Sequence, residues 1–277
     1  MTLSGADVRR LLDQHGLAPS RARGQNFVVD PNTVRRIARL AEVGPDDHVV
    51  EIGAGLGSLT LALAETGASV TAIEIDSRLV PALRSVVEPA GVTVVEGDAL
   101  RLDWDALLGD GTWVLVANLP YNVATPLVAD LLDGVPTIRR MLVMVQREVG
   151  ERLAAGPGDE AYGAVSVKIA YWATAKVVGR VPPTVFHPVP KVESALVRIV
   201  RRPEPAVGPQ VDPAWLFELV RTGFGQRRKM LRRSLVSLVP AEAFVAAGIR
   251  PEARAEELSV GDWGRLAACT SSGRPPN

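Results

Sequence analysis

Asn118-Leu119-Pro120-Tyr121-Asn122 follows the apolar run Trp113-Val114-Leu115-Val116-Ala117. An amide, a proline and an aromatic ring at the end of a buried strand can do chemistry together. The Asn118 side-chain carbonyl can accept a hydrogen bond from an amine. Pro120 fixes its own φ and removes a donor, so the neighbouring carbonyls are rigid and can face a ligand. Tyr121 offers a flat face on which a planar base stacks. The set suits capture of an exocyclic amino group on a nucleobase. The plainer alternative is an ordinary strand–turn–helix junction, which Asn and Pro often build.

A second constellation is Glu51-Ile52-Gly53-Ala54-Gly55-Leu56-Gly57. A nicotinamide-binding fingerprint places its third glycine at position 58. Here that position is Ser58, and the third glycine comes one residue early. An acid followed by Gly-x-Gly-x-Gly fits a loop that approaches a nucleoside with a cationic amino-acid tail, whose ammonium group Glu51 can meet. Glu74, 21 residues after Gly53, is placed to bind a ribose diol. Asp98 can accept from an adenine amine. Each acid taken alone could equally cap a helix or face solvent in a turn.

These residues need a frame. Val49–Ile52, Val70–Ile75, Val92–Glu96, Trp113–Leu119 and Met141–Val145 read as short apolar strands. Helical segments near 5–15, 31–42, 58–65, 77–88 and 126–133 separate or precede them. Pro31 after Asp30 suits the first turn of the 31–42 helix. This alternation predicts a parallel sheet covered on both faces. Such sheets bind ligands at the C-terminal ends of their strands. Glu51, Gly53, Glu74, Asp98 and Asn118 all fall at such ends, and their convergence from separate segments outweighs any one motif.

Beyond residue 150 the pattern changes. Val165–Val178 and Ser194–Val200 read as strands, and the proline-rich stretch 181–190 between them reads as a loop of defined shape. The segment 202–209 reads as a linker, followed by helices at about 213–224, 227–238 and 240–247. The expected organisation is an α/β domain over 1–202, a small all-α domain over 203–269, and a disordered tail over 270–277.

Composition narrows the class. The chain has 277 residues, 47% of them hydrophobic, enough for a folded core. No apolar run reaches the ~18 residues that cross a bilayer, and the polar start carries no signal-peptide pattern. One cysteine, Cys269, and three scattered histidines predict no disulfide and no metal site. A cytoplasmic protein is expected. Net charge is zero, which argues against a general nucleic-acid binder, but the charge is not evenly spread. Arg221, Arg227, Arg228, Lys229, Arg232 and Arg233 form a run without an acid. Arg21, Arg23, Arg35, Arg36 and Arg39 form another, interrupted only by Asp30. Clustered cations can neutralise phosphates; the alternative is a solvated helix face, or arginines paired to acids such as Glu242, Glu256 and Glu257. Arg228 and Arg232, four residues apart, are expected on one helix face.

With these motifs in view, Glu51–Gly57, Glu74, Asp98 and Asn118–Tyr121 resemble a class I S-adenosylmethionine-dependent methyltransferase of the N6-adenine type. Gly24-Gln25-Asn26-Phe27 and Phe186-His187-Pro188-Val189-Pro190-Lys191-Val192-Glu193-Ser194-Ala195 narrow the resemblance to the ribosomal RNA adenine dimethyltransferases, in particular those of the small subunit. The resemblance covers residues 20–265. It implies a Rossmann-like domain with a mostly parallel seven-stranded sheet, and S-adenosyl-L-methionine as cofactor, held by Asn26, Val28, Glu51, Gly53, Gly55, Glu74, Asp98 and Asn118. It implies a target adenine held by Asn118, Leu119, Pro120 and Tyr121, with Phe186 on its other side. It also implies two methyl additions on each of two neighbouring adenosines near the 3′ end of the RNA, in a pre-ribosomal particle, by a monomer. Val28 stands where the family usually has Leu, a silent change if only the backbone touches the cofactor. Two alternatives remain: a large-subunit rRNA methyltransferase of the macrolide-resistance type, which tends to carry Asn-Ile-Pro-Phe, and a catalytically idle rRNA-binding assembly factor.

Overall fold

β-Branched and aliphatic runs with few polar interruptions make the central strands, as burial on both faces requires. The computed structural model describes residues 2–20, 24–120 and 123–270. Its strands are β1 (Phe27–Val28), β2 (His48–Ile52), β3 (Ser69–Glu74), β4 (Thr93–Glu96), β5 (Trp113–Asn118), β6 (Ile138–Gln146), β7 (Ala173–Val181), β8 (Phe186–His187) and β9 (Ser194–Arg201). Its helices are α1 (Gly5–Gln14), α2 (Pro31–Ala41), α3 (Ser58–Ala64), α4 (Val80–Val87), α5 (Trp104–Leu108), α6 (Ala124–Gly134), α7 (Arg147–Ala154), α8 (Ala164–Trp172), α9 (Pro213–Gly225), α10 (Leu231–Ser234), α11 (Ala241–Ala246) and α12 (Val260–Thr270). Seven strands form one sheet in the order β4-β3-β2-β5-β6-β9-β7, and β1 pairs with β8 in a separate ribbon. β2 to β6 pair in parallel, and β9 runs antiparallel to β6. The order reverses between β2 and β5, so a crevice opens at the C-terminal ends of those two strands.

The helices start where local chemistry allows. The Asp30 carboxylate accepts from the Asn32 and Thr33 amides, and Pro31 occupies the first turn of α2. Ser4 and Asp7 close a reciprocal cap on α1. Val34 and Ile37 of α2, Leu59 and Leu63 of α3, and Leu83 and Val87 of α4 join the buried core with sheet residues. Each fully buried aliphatic side chain of this kind contributes about 1.5–3 kcal/mol.

The chain divides into two units: residues 1–151 with 176–201, and residues 152–175 with 202–277. This corrects the expected boundary at 202/203, because 152–175 belongs with the helical part. The residues read as a strand over Val165–Val178 form α8 and then β7. Tyr162, Val167 and Tyr171 pack among Trp215, Leu216, Phe244 and Trp263 in the second unit's core. The Tyr162 hydroxyl donates to the Leu258 carbonyl at 2.8 Å.

The expected helix over 227–238 is also corrected. Residues 226–230 form a turn, and α10 spans only Leu231–Ser234. The Leu231 amide donates to the Ala253 carbonyl, and the Leu231 side chain is fully buried. Residue 270, assigned to the tail, ends α12, where its hydroxyl accepts from Trp215 Nε1 at 2.9 Å. The rest of that tail, 271–277, lies outside the described residues.

Candidate active site

The glycine loop turns sharply because Gly53, Gly55 and Gly57 have φ of 75°, 62° and 88°, the left-handed region that other residues avoid. At Gly57 space adds to conformation: a Cβ would lie 2.5 Å from Val87 Cγ1 of α4. At Gly55 it would lie 3.0 Å from the Phe27 ring. The loop is therefore pressed between β1 and α4, and Gly53, Ala54, Gly55 and Leu56 line a cavity of about 490 Å³.

That cavity collects residues from every strand end of the crevice. Asn26 and Val28 come from β1 and its approach, Glu51 and Gly53 from β2, Gly55 from the loop, Glu74 from β3, Asp98 from the turn after β4, and Asn118 and Pro120 from β5. All eight residues assigned to cofactor contact thus line one cavity.

Glu74 is 5% exposed, and both its oxygens hold backbone: Oε2 accepts from the Gly55 amide and Oε1 from the Asp76 amide, each at 2.8 Å. Burial raises its carboxyl above the ordinary range. Glu51 is 2% exposed, and its Oε2 has no hydrogen-bond partner among the described residues. Burial, with the nearby Glu74 charge adding to it, pushes the Glu51 carboxyl up to about 8. The Ser58 hydroxyl, at the start of α3 and on the same cavity wall, is likewise buried without a partner among the described residues. Orphaned polar atoms cost free energy unless something satisfies them, so this corner of the cavity suits a cationic, hydrogen-bonding group. Asp98 closes a short turn, its Oδ1 accepting from the Leu100 amide at 3.0 Å.

Asn118 ties the two halves of the wall together. Its Nδ2 donates to the Asn26 carbonyl at 3.1 Å. This orients the amide, and Oδ1 accepts nothing among the described residues. Leu119 has its side chain in the core at 1% exposure, so only its backbone is available; its amide donates to the Met144 carbonyl. Tyr121 lies outside the described residues. Phe186 must be corrected: its ring is 2% exposed within the hydrophobic core, not on the cavity wall, and its backbone pairs with Val28 in the β1–β8 ribbon. The Phe186-containing motif shapes the wall through that ribbon.

Sequence reasoning missed part of the site. Ile75 and Leu100 line the cavity yet are 61% and 48% exposed, apolar lips of the kind a flat ring covers. Asp76, 2% exposed, accepts from Gln25 Nε2 at 3.0 Å and pairs with Arg78 at 2.8 Å, anchoring the segment before β1. Nothing local distinguishes these residues, apart from their place beside a strand end.

Of the basic run in the second unit, Arg227 is occupied: its guanidinium pairs with Glu256 at 2.7 Å and donates to the Glu160 carbonyl at 2.8 Å. Arg232 lies 3.5 Å from Glu252. Arg221, Arg228, Lys229 and Arg233 are exposed, with no ion pair among the described residues. Arg228 sits in the 226–230 turn and Arg232 on α10, so they do not share a helix face as expected. Among the described residues no group of His, Cys, Asp and Glu is placed to hold a metal, and no helix is long and apolar enough to cross a membrane.

Comparison with known proteins places this geometry. Residues 20–271 match the family described as ribosomal RNA adenine dimethylase. Two proteins named ribosomal RNA small subunit methyltransferase A, from Thermobifida fusca and Cutibacterium acnes, are 50% and 49% identical over 96% and 95% of this chain and 95% and 93% of their own lengths. Among solved structures, a dimethyladenosine transferase from Plasmodium falciparum superposes with a TM-score of 0.73 at 25% identity, covering 86% of this chain and 94% of that one. The 23S rRNA methyltransferase ErmE superposes with a TM-score of 0.69 at 28% identity, covering 89% of this chain and 100% of that one.

Proposed function

This chain belongs to the ribosomal RNA adenine dimethylase family, and we propose that it uses S-adenosylmethionine to dimethylate N6 of two adjacent adenosines near the 3′ end of small-subunit rRNA. The observation that carries the reading is the one cavity that gathers the glycine loop, Glu51, Glu74, Asp98 and Asn118. Glu51, with the Ser58 hydroxyl, would meet the amino-acid tail; Glu74 the ribose; Asp98 the adenine amine, with Ile75 and Leu100 against the ring faces. Bound there, the cofactor supplies an activated methyl on a sulfonium.

The protein's own work is then positional. The target amine is a weak nucleophile because its lone pair is delocalised into the purine. Hydrogen bonds from that amine to Asn118 Oδ1 and the Leu119 carbonyl favour a pyramidal nitrogen and free the lone pair in line with the methyl. Methyl transfer would leave the nitrogen cationic and acidic, so its proton would pass to solvent and no strong base is needed among the residues beside Asn118. The base must leave its stack to arrive, and Tyr121 offsets part of the few kcal/mol this costs. The partner is rRNA within a pre-ribosomal particle, engaged by a cytoplasmic monomer, and the free cations of the second unit act as a phosphate-docking surface.

The small-subunit reading is favoured over the large-subunit one by sequence. Relatives named for the small subunit reach 50% identity, against 28% for the 23S enzyme, and Leu119 with Tyr121 departs from the Asn-Ile-Pro-Phe of that group. The intact loop and Asn118 geometry weigh against an idle factor. Incubation of separated, unmethylated small and large ribosomal particles with methyl-labelled cofactor tests the choice. Label is expected in the small particle alone; label confined to the large particle would overturn the reading.

A further inference from the structure

The two ends of the Asn118 amide have nearly the same shape, and only one can serve an amine. Oδ1 must face the target, so Nδ2 must be held elsewhere. Its holder is the Asn26 carbonyl, at 3.1 Å, which only a donor can satisfy. The direction of Asn118 therefore depends on where the 24–28 segment places one backbone oxygen. β1 fixes the far side of that oxygen. Val28 pairs with Phe186, and the Phe27 ring lies 3.0 Å from where a Cβ on Gly55 would stand. On the near side residues 24–26 lie in no strand or helix.

Gln25 supplies the missing constraint. Its Oε1 accepts from the Ser20 amide at 2.8 Å, and its Nε2 donates to Asp76 Oδ2 at 3.0 Å. A backbone N–H only donates and a carboxylate only accepts, so this amide has one orientation. The Asp76 carboxylate is buried and also takes Arg78, whose Nε and Nη2 donate to it at 3.0 and 2.8 Å. The Asp76 backbone amide donates to Glu74 Oε1, and Glu74 Oε2 accepts from the Gly55 amide. One buried turn thus holds both the acid facing the ribose position and, through Gln25, the segment that aims Asn118.

We propose that Gln25 is a positioning residue for methyl transfer: by clamping the 24–28 segment to Asp76, it sets the Asn26 carbonyl and so the direction of Asn118 Oδ1. The proposal rests on the reading that the reaction is methylation of an adenine amine. The test is an exchange of polarity. Gln25→Glu sets two carboxylates against each other at a buried site. Adding Asp76→Asn restores one donor and one acceptor between the two positions and leaves the Ser20 amide an acceptor. Gln25→Leu removes both bonds without adding charge. Single-turnover methylation of unmethylated small-subunit particles is measured at limiting and saturating S-adenosylmethionine, with cofactor affinity and melting temperature alongside.

Gln25→Glu and Gln25→Leu are each expected to lower the rate at saturating cofactor by about tenfold or more, because a small misplacement of an orienting group is felt in the transition state. The exchange is expected to return that rate to within about threefold of the parent, although it carries a second substitution. Where Gln25→Glu lowers the melting temperature, Gln25→Leu carries the comparison. A loss that vanishes at saturating cofactor would mean that the segment serves cofactor binding alone, and would overturn the proposal. A double variant no faster than Gln25→Glu, or a Gln25→Leu variant as fast as the parent, would overturn it too, and both leave the enzymatic reading standing. A parent protein that binds cofactor and methylates no adenine would remove that reading and the proposal together.

Discussion

Asn118 is fixed at its amino end by the Asn26 carbonyl, and its oxygen accepts nothing among the described residues, the arrangement a hydrogen-bond acceptor needs if its strength is to be felt as the amine pyramidalises. Asn118→Ala is expected to lower kcat by about 100-fold or more, because the missing interaction strengthens toward the transition state. Single-turnover methylation measures it, and a rate near the parent value would remove Asn118 from the mechanism. Glu51 makes a different prediction, about protons. Its carboxyl rises from 4.5 to about 8 in the folded protein, so between those values the native state holds a proton that the unfolded state has lost. Its contribution therefore favours folding at low pH and is lost as pH rises toward 8. An ammonium group beside it reverses the preference, so cofactor binding near pH 7 should expel about one proton. Calorimetry in buffers of different ionisation enthalpy reads that release. Glu51→Gln should abolish the release and weaken binding by about tenfold, and a binding heat independent of buffer would contradict the assignment.

The loop between β2 and α3 works as a unit. The Glu74 carboxylate holds the Gly55 amide, while Gly57 rests on α4. Gly57→Ala forces a left-handed φ on alanine and drives its methyl into Val87; a cost of about 2 kcal/mol is expected. Urea unfolding measures it, and cofactor affinity should fall in parallel. An alanine variant as stable as the parent would mean that the loop tolerates a Cβ. This element was legible in sequence because glycine spacing and flanking acids are local signals. Other elements were not. Ala164–Trp172 alternates Val165, Val167, Ile169 and Tyr171 with smaller or polar residues, which reads as a strand, but packing of Val167 and Tyr171 among the helices of the second unit decides for a helix. Gln226–Met230 has good helix formers and still forms a turn. The turn lets Leu231 enter the core, and Arg227 reaches Glu256. Phe186 looked like a stacking face because a motif gives residue types but not the side from which the β1–β8 ribbon presents them.

At the scale of the molecule, the second unit separates structural cations from available ones. Arg227→Glu should lower the melting temperature by several degrees, about 1–3 kcal/mol, by replacing an ion pair with two facing acids. Arg228→Glu with Arg233→Glu should leave melting unchanged, weaken binding to small-subunit particles and flatten its salt dependence. Thermal scans and a salt series on the same proteins check both, and an unaltered slope in the double variant would withdraw the docking role. The central claim is the product itself. Small-subunit particles lacking the modification would be incubated with this protein and S-adenosylmethionine, and their RNA digested and analysed by nucleoside mass spectrometry. The account predicts N6,N6-dimethyladenosine at two adjacent positions near the 3′ end, absent without cofactor. Particles left unmodified by protein that binds cofactor, or methyl groups found on another base or atom, would contradict it.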